Sequence, residues 1–239
     1  MGLPKAVFGS PFSKKDSDMK KLMLLHTVKS VCDSFENALS QELGSDVIID
    51  SMLDTFLANE LKRNNGEFTE TNRLRFVYDL ESLELSRPDM IVVTCSSLSV
   101  LIPTLRPFFR TPIIAIDDEM CKKALEMGDK IAILATSQGA SNSLEWKLDN
   151  LSKESGRDVY LESFCCIAAM DALQRKDRDE HDKLVLDMAR KVSRLFDVIV
   201  LAQASMAHTR MAIERECRIC TLDSPSLCIE QVKKLLSKL

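Results

Sequence analysis

The chain has 239 residues, 45% hydrophobic and 28% charged, which suits an ordinary globular protein with room for one large domain or two small ones. Its formal net charge of −4 offers no basic surface to suggest nucleic acid as a partner. No apolar run approaches the roughly 20 residues of a membrane span, no secretory apolar stretch follows the start, and Ala6 stands where a myristoylation signal beginning Met1-Gly2 needs Ser or Thr.

Residues 1–20 are rich in Gly, Pro, Ser and Lys and read as a flexible tail. Residues 22–25 form a short apolar strand ending at His26-Thr27. Val28, Val31, Cys32, Phe35 and Leu39 recur at helical spacing, predicting a helix over 28–43 that Gly44 stops. A strand over 46–50 ends at Asp50-Ser51, and a helix capped by Ser51 or Asp54 runs to 61. The polar loop 62–68 is a candidate lid, and a helix over 69–85 follows.

The third strand is Asp89-Met-Ile-Val-Val-Thr-Cys-Ser-Ser97, an apolar run closed by small polar residues, as in a buried strand of a parallel sheet. The helix after it reaches about 109 and contains Pro103, which should kink or break it. A strand over 111–116 ends at Asp117-Asp118-Glu119, acidic residues suited to the start of the helix that runs to Gly128. The strand 130–135 ends in Thr136-Ser137-Gln138-Gly139, with a helix over 141–155 and a strand over 158–162 behind it. Residues 165–190 are mostly helical, with a break at 176–179. A strand over 197–201 ends in Ala202-Gln203-Ala204-Ser205; a helix over 206–216, a strand over 219–222 and a helix over 225–238 complete the chain. Short apolar strands alternating with helices predict a parallel α/β architecture.

The elements repeat. Asp89-Met-Ile-Val-Val-Thr-Cys-Ser-Ser97 aligns with Asp197-Val-Ile-Val-Leu-Ala-Gln-Ala-Ser205, sharing the Asp, an Ile, a Val and the last Ser. Leu22-Met-Leu-Leu-His-Thr27 aligns with Ile131-Ala-Ile-Leu-Ala-Thr136, Asp46-Val-Ile-Ile-Asp-Ser51 with Asp158-Val-Tyr-Leu-Glu-Ser163, and Ile113-Ile-Ala-Ile-Asp117 with Ile219-Cys-Thr-Leu-Asp223. One match between apolar strands would be chance, but four in the same order argue for two copies of one unit. The fold expected is therefore two pseudo-symmetric parallel-sheet α/β domains with the active site in the cleft between them. Residues 21–115 with 223–239 would form the first domain and 116–222 the second, since the last helix follows a strand matching the one before Asp117.

Ligands of open α/β sheets sit beyond the carboxyl ends of the strands, and pockets favour domain interfaces. His26-Thr27 would then face Ala135-Thr136, Asp50-Ser51 would face Glu162-Ser163, and Cys95-Ser96-Ser97 would face Gln203-Ala204-Ser205. A thiol on each face of a planar intermediate could take a proton from one side and return it on the other. Here Gln203, which cannot titrate, stands opposite Cys95. One thiol still allows protonation on a single face, or attack through a covalent intermediate. The following helix and His26, if their strands are neighbours, would activate Cys95. Thr27, Asp50, Ser96, Ser97, Thr136, Ser137, Gln203, Ala204 and Ser205 would bind substrate through hydroxyls, amides and helix starts, where a small carboxylate fits. The same hydroxyls also serve as plain helix caps, and Cys95 could be one more buried cysteine.

The other singular residues read more plainly. His181-Asp182 lies among charges on a helix and reads as a solvated face, while His208 either points to the cleft or is exposed. Cys165-Cys166 follows a strand end of the second half and is the one candidate there for a second thiol. The eight cysteines do not form the framework of a small secreted domain, so reduced thiols and a cytoplasmic setting are expected. Cys217-Arg-Ile-Cys220 has no second pair beside it, and no metal ligands are expected.

At these residues the chain resembles the aspartate/glutamate/hydantoin racemase superfamily over nearly its whole length after the tail. The resemblance rests on Thr94-Cys95-Ser96-Ser97, where the family has a Cys followed by small polar residues, and on Ala202-Gln203-Ala204-Ser205-Met206, at the place of its second Cys signature. It implies two pseudo-symmetric α/β domains, an interdomain site, no cofactor, and an isomerase or lyase acting on a small carboxylate. The family includes a decarboxylase with one active-site Cys, there in the second signature, whereas here the thiol is in the first. Its amino-acid racemases have an acidic residue after the first strand, where this chain has His26-Thr27. Two other readings stay open: a hydrolase with a covalent Cys95 adduct, and a protein that binds a small carboxylate without turnover. A homo-oligomer is compatible with the chain, since dimers are common, although no residue marks an interface.

Overall fold

A computed structural model of the chain describes residues 19–64 and 66–239, so residues 1–18 of the expected tail and Asn65 of the expected lid lie outside the described residues. Among the described residues, eight strands form two sheets in which every pairing is parallel. The first contains β1 (Lys20–His26), β2 (Val47–Leu53), β3 (Met90–Val93) and β4 (Ile113–Ala115) in the order β2-β1-β3-β4. The second contains β5 (Lys130–Ala135), β6 (Tyr160–Cys165), β7 (Val198–Leu201) and β8 (Cys220–Asp223) in the order β6-β5-β7-β8.

The duplication extends to single hydrogen bonds. Asp89 N–H donates to Lys21 O at 2.8 Å, and Asp197 N–H to Lys130 O at 2.8 Å. The same two aspartates accept from the backbone N–H of Lys21 at 2.7 Å and of Lys130 at 2.9 Å. An Asp opens the third strand of each half because its side chain and backbone together fasten the start of the first strand. At the other end, Asp54 N–H donates to His26 O at 2.9 Å, and Cys166 N–H to Ala135 O at 2.8 Å.

Helices cover both faces of each sheet, which is why the central strands are apolar throughout. In the first sheet, Leu22, Leu24, Met90 and Val92 pack under α1 (Lys29–Leu43) and α11 (Ser224–Leu236). Met23, Leu25, Ile91 and Val93 pack under α2 (Thr55–Arg63) and α3 (Glu70–Glu84). In the second sheet, Ile131, Ile133, Val198 and Val200 face α6 (Asp118–Met127) and α7 (Gln138–Glu154). Ala132, Leu134, Ile199 and Leu201 face α8 (Ile167–Gln174), α9 (Arg178–Val192) and α10 (Arg210–Cys217). The helix leaving each sheet's last strand therefore packs on the other sheet: α6 follows β4, and α11 follows β8. No helix of the described residues is long and apolar enough to cross a membrane.

Several boundaries differ from the sequence expectation for identifiable reasons. β2 does not stop at Asp50-Ser51, because β1 stays extended to His26 and carries its partner to Leu53. β6 likewise runs past Glu162-Ser163 to Cys165, paired with Ala135. These are edge strands, which carry exposed or half-buried polar side chains without ending the ladder. Asp54 then caps α2, accepting from Phe56 N–H at 2.9 Å. The helix expected after Ser97 is broken into α4 (Ser96–Ser99), α5 (Ile102–Leu105) and a 3-10 turn over Arg106–Phe108, with Pro103 in the first turn of α5. A 3-10 turn over Ala204–Thr209 precedes α10.

Candidate functional site

Strand alternation sorts the residues at the end of the first sheet. β1 and β3 pair with Leu25 opposite Val93, so the next residues, His26 and Thr94, share one face and Thr27 and Cys95 the other. Cys95 joins the apolar layer of α2 and α3, whereas His26 packs edge-on against Phe35 of α1. The expected pairing of His26 with Cys95 is therefore corrected: the strands are neighbours, but the side chains leave them in opposite directions. His26 Nδ1 lies 2.7 Å from Thr94 Oγ1 instead. Burial lowers the pKa of the ring to about 4, against the opposing pull of Glu36 and Asp33.

The Cys95 thiol is buried, and Thr27 leaves the neighbouring strand on the same face. Burial pushes the thiol up, and the Thr27 hydroxyl with the N–H groups of Leu98 and Ser97 draws it part of the way back. The second sheet repeats this pair with an amide in place of the thiol. Thr136 donates to Gln203 Oε1 twice, from its N–H at 2.7 Å and its hydroxyl at 2.9 Å. Those two bonds fix the amide orientation, leaving the NH2 end of Gln203 as a donor for another partner.

The two halves meet at these ends. α4, which follows Cys95, packs on α7, which follows Thr136-Ser137, and the turn after Gln203 packs on α11. Ala204 lies against the apolar layer between α1, α11 and the first sheet. Gly66, at φ +87°, stands so close to α7 that a Cβ on it would sit 3.7 Å from the Gly139 Cα. The loop expected to be a lid thus reaches the start of the opposite half.

A buried charge network ties the halves together beside the thiol. Lys147 of α7 bonds Asp117, and reaches Asp118 at 2.8 Å. Asp118 also pairs with Arg106 and accepts from Ala115 N–H at 2.9 Å. Ser99, one turn after Cys95, donates to Asp117 at 2.8 Å. Burial works against the Lys147 ammonium, but Asp117 and Asp118 outweigh it and push the pKa up. Burial likewise opposes the Asp118 carboxylate, and Lys147 and Arg106 hold it below the usual range. The sequence reading took Asp117-Asp118 only as a helix start and missed Lys147. A signal was present: Lys147 lies on the same stripe of α7 as Ala140, Leu144 and Leu148, which are core positions.

The remaining expected residues divide. Ser96 and Ser97 occupy the first turn of α4, and Ser205 the turn after Gln203; all three are half-buried. Ser137 caps α7, accepting from Ala140 N–H at 3.4 Å. Asp50 is brought to none of them, because β2 continues past it; it is exposed and faces Lys21 at 3.6 Å. Cys165 closes β6, Cys166 holds the position matching Asp54, and all eight cysteines are free. His181 is not on a solvated face: it is buried, with Nδ1 2.7 Å from Asp182 Oδ1, and His208 Nε2 lies 2.6 Å from the same oxygen. A groove of about 570 Å³ lies between Trp146 of α7 and Tyr160 at the amino end of β6, away from the strand ends that carry Thr136 and Gln203.

This arrangement can hold a small anion between hydroxyls and an amide and can move a proton at one thiol. A family model described as Asp/Glu/Hydantoin racemase matches residues 23–232. No curated protein has a sequence that matches the chain. Among solved structures, a glutamate racemase from Bacillus anthracis is similar at 15% identity, over 92% of this chain and 83% of its own, with a TM-score of 0.68. An aspartate racemase from Picrophilus torridus is 12% identical over 90% of this chain and 94% of its own, with a TM-score of 0.67. An allantoin racemase from Klebsiella pneumoniae is 14% identical over 91% and 88%, with a TM-score of 0.63. Identities this low bear on the fold, which is the same two-sheet α/β arrangement, whereas the family match spans the chain from β1 into α11. The chain belongs to the Asp/Glu/hydantoin racemase family and is a racemase-like enzyme.

Proposed function

We propose that this enzyme acts without a cofactor on a small carboxylate at the junction of its halves, 21–115 with 223–239 and 116–222, using Cys95 as its single titrating thiol. The observation that carries this reading is the matched position of two threonines, Thr27 beside Cys95 at the end of the first sheet and Thr136 bonded to the Gln203 amide oxygen at the end of the second. Both halves build the same cradle, and only one fills it with a group that can give or take a proton. The hydroxyls of Ser96, Ser97 and Ser205 and the NH2 of Gln203 are the donors suited to a carboxylate.

The upward push on Cys95 favours a resting thiol over a thiolate. Such a group gives its proton to one face of a planar carbanion, and solvent then restores it. Because Gln203 does not titrate, the opposite face receives no proton from the protein. This supports a lyase in which a C–C bond breaks, its electron pair stays on the carbon, carbon dioxide leaves and Cys95 protonates that carbon, or an isomerase in which solvent on the Gln203 face takes the C–H proton and Cys95 returns one on its own face. A covalent thioester route is less favoured, since it needs the thiolate first.

The test is turnover of small carboxylates, including glutamate, aspartate and 2-substituted malonates, in deuterated water, with label uptake and carbon dioxide release both recorded. Cys95→Ala should lower turnover by about 10²- to 10⁴-fold, the usual worth of a positioned acid or base. Full activity in that variant would sink the proposal. Binding of a carboxylate with no turnover by the native enzyme would instead support the reading of a protein that only binds.

A further inference from the structure

On the face of the first sheet opposite Cys95, three side chains converge that the reaction does not use. His26 closes β1, and Cys32 and Glu36 stand one turn apart on α1, so their side chains point the same way. One ligand atom from each lies within 4.8 Å of the others. His26 Nε2 is buried and has no hydrogen-bond partner. It faces Glu36 Oε1 at 3.6 Å, beyond a hydrogen bond, and Cys32 Sγ lies 3.1 Å from the same oxygen. The tautomer follows from the other side of the ring. Thr94 Oγ1 lies 3.2 Å from Leu25 O and gives its proton there, so it accepts from His26 Nδ1–H at 2.7 Å. Nε2 is then a bare lone pair aimed at a carboxylate oxygen, an arrangement that a cation completes.

We propose that His26 Nε2, Cys32 Sγ and a Glu36 carboxylate oxygen bind a divalent transition-metal ion of the zinc class, with water in the fourth position. Tetrahedral bonds of about 2.0–2.1 Å to nitrogen and oxygen and about 2.3 Å to sulfur put neighbouring ligand atoms roughly 3.3–3.6 Å apart. The Glu36 oxygen already stands near that spacing from both other ligand atoms, 3.6 Å from Nε2 and 3.1 Å from Sγ, and Nε2 and Sγ lie within 4.8 Å of each other. Thiolate and imidazole select zinc-like ions over magnesium or calcium. Thr94 orients the imidazole from its other nitrogen, the outer contact that a metal-bound histidine requires. The Glu36 side chain is 35% exposed, which gives the ion a path and leaves room for water. On binding, the Cys32 S–H bond breaks, the sulfur electron pair passes to the metal and the proton goes to buffer. The ion would clamp α1 to the end of β1 and, through Thr94, brace the residue before Cys95. The His181, Asp182 and His208 cluster is the weaker candidate, because its nitrogens already lie 2.7 and 2.6 Å from the carboxylate oxygen, at hydrogen-bond distances.

The test is cobalt(II) titration of the reduced full chain, followed by optical absorption and far-UV circular dichroism. A near-ultraviolet thiolate-to-cobalt charge-transfer band and visible four-coordinate bands should appear together, and zinc should abolish both. Cys32→Ser should remove the charge-transfer band, while His208→Ala and the double variant Cys217→Ser/Cys220→Ser should keep it. Glu36→Gln, at a half-exposed position that leaves the fold intact, should weaken cobalt binding by about tenfold or more. The proposal is overturned if the native chain binds no cobalt, if the band survives Cys32→Ser, or if Glu36→Gln binds cobalt as the native chain does.

Discussion

Lys147 carries its ammonium into the junction of the halves, where Asp117 and Asp118 meet it. Removing the cation alone leaves buried carboxylates unpaired, a change that costs about 3–5 kcal/mol. Lys147→Met should therefore lower the urea midpoint by that much stability at neutral pH, with Arg106 sparing part of the charge on Asp118. A Lys147→Met protein within about 0.5 kcal/mol of the native one would show the network to be dispensable. Asp79 makes a second prediction. Burial raises its pKa to about 7, the neighbouring Asp54 adds to this, and Arg75 pulls the other way. Between the ordinary 3.8 and about 7 the native state holds a proton that the unfolded chain has lost. Stability from this group therefore falls as pH rises through that window and stays low above it. Asp79→Asn should be relatively more stable at pH 8 than at pH 5, read as the difference in urea midpoint from native. An equal difference at both pH values would refute the shift. At this scale the sequence was partly legible. Cys95 and Gln203 stood out because strand ends are where ligands sit, but Lys147 looked like any helix lysine, since a partner 30 residues away in sequence leaves no local trace.

At the scale of elements, apolar periodicity located all eight strands and broke the helix at Pro103, because burial and proline geometry act locally. The edge strands β2 and β6 were read too short for a different reason. Their length is decided by the strand beside them, and Asp50-Ser51 and Glu162-Ser163 are ladder positions rather than ends. Asp50 was drawn into the site by that error. α11 raises the matching question of what holds an element at the end of the chain. Its Cys228, Ile229, Val232 and Leu236 are buried against the first sheet, each worth about 1.5–3 kcal/mol relative to exposure for the larger side chains. Val232→Ala should destabilise the protein by about 1–3 kcal/mol. The loss should be shared by the first half, measured as faster amide exchange in β1 and β3. Exchange that quickens only in β5 and β7 would place the helix's support elsewhere.

For the whole molecule, the repeat of four strand motifs in one order foretold two equivalent sheets, and the same backbone hydrogen bonds recur in both. That much is written in the sequence, since each βα unit is built from neighbours along the chain: periodic apolar residues, a polar strand end and a capped helix. The opposite faces taken by His26 and Cys95 follow from register and strand alternation. Register is set by which residues of β1 and β3 lie side by side, 68 positions apart where Thr94 meets His26. The meeting of Lys147 with Asp117, of Gly66 with Gly139, and of His26 with Cys32 and Glu36 was likewise decided only when the sheets were assembled. The sequence by itself determined the duplicated α/β plan and the matched places of Cys95 and Gln203 after the third strand of each sheet, because these are properties of segments. The tertiary structure alone decided which polar groups share a buried space. Burial makes those groups find partners, and the partners come from any part of the chain that packing brings near.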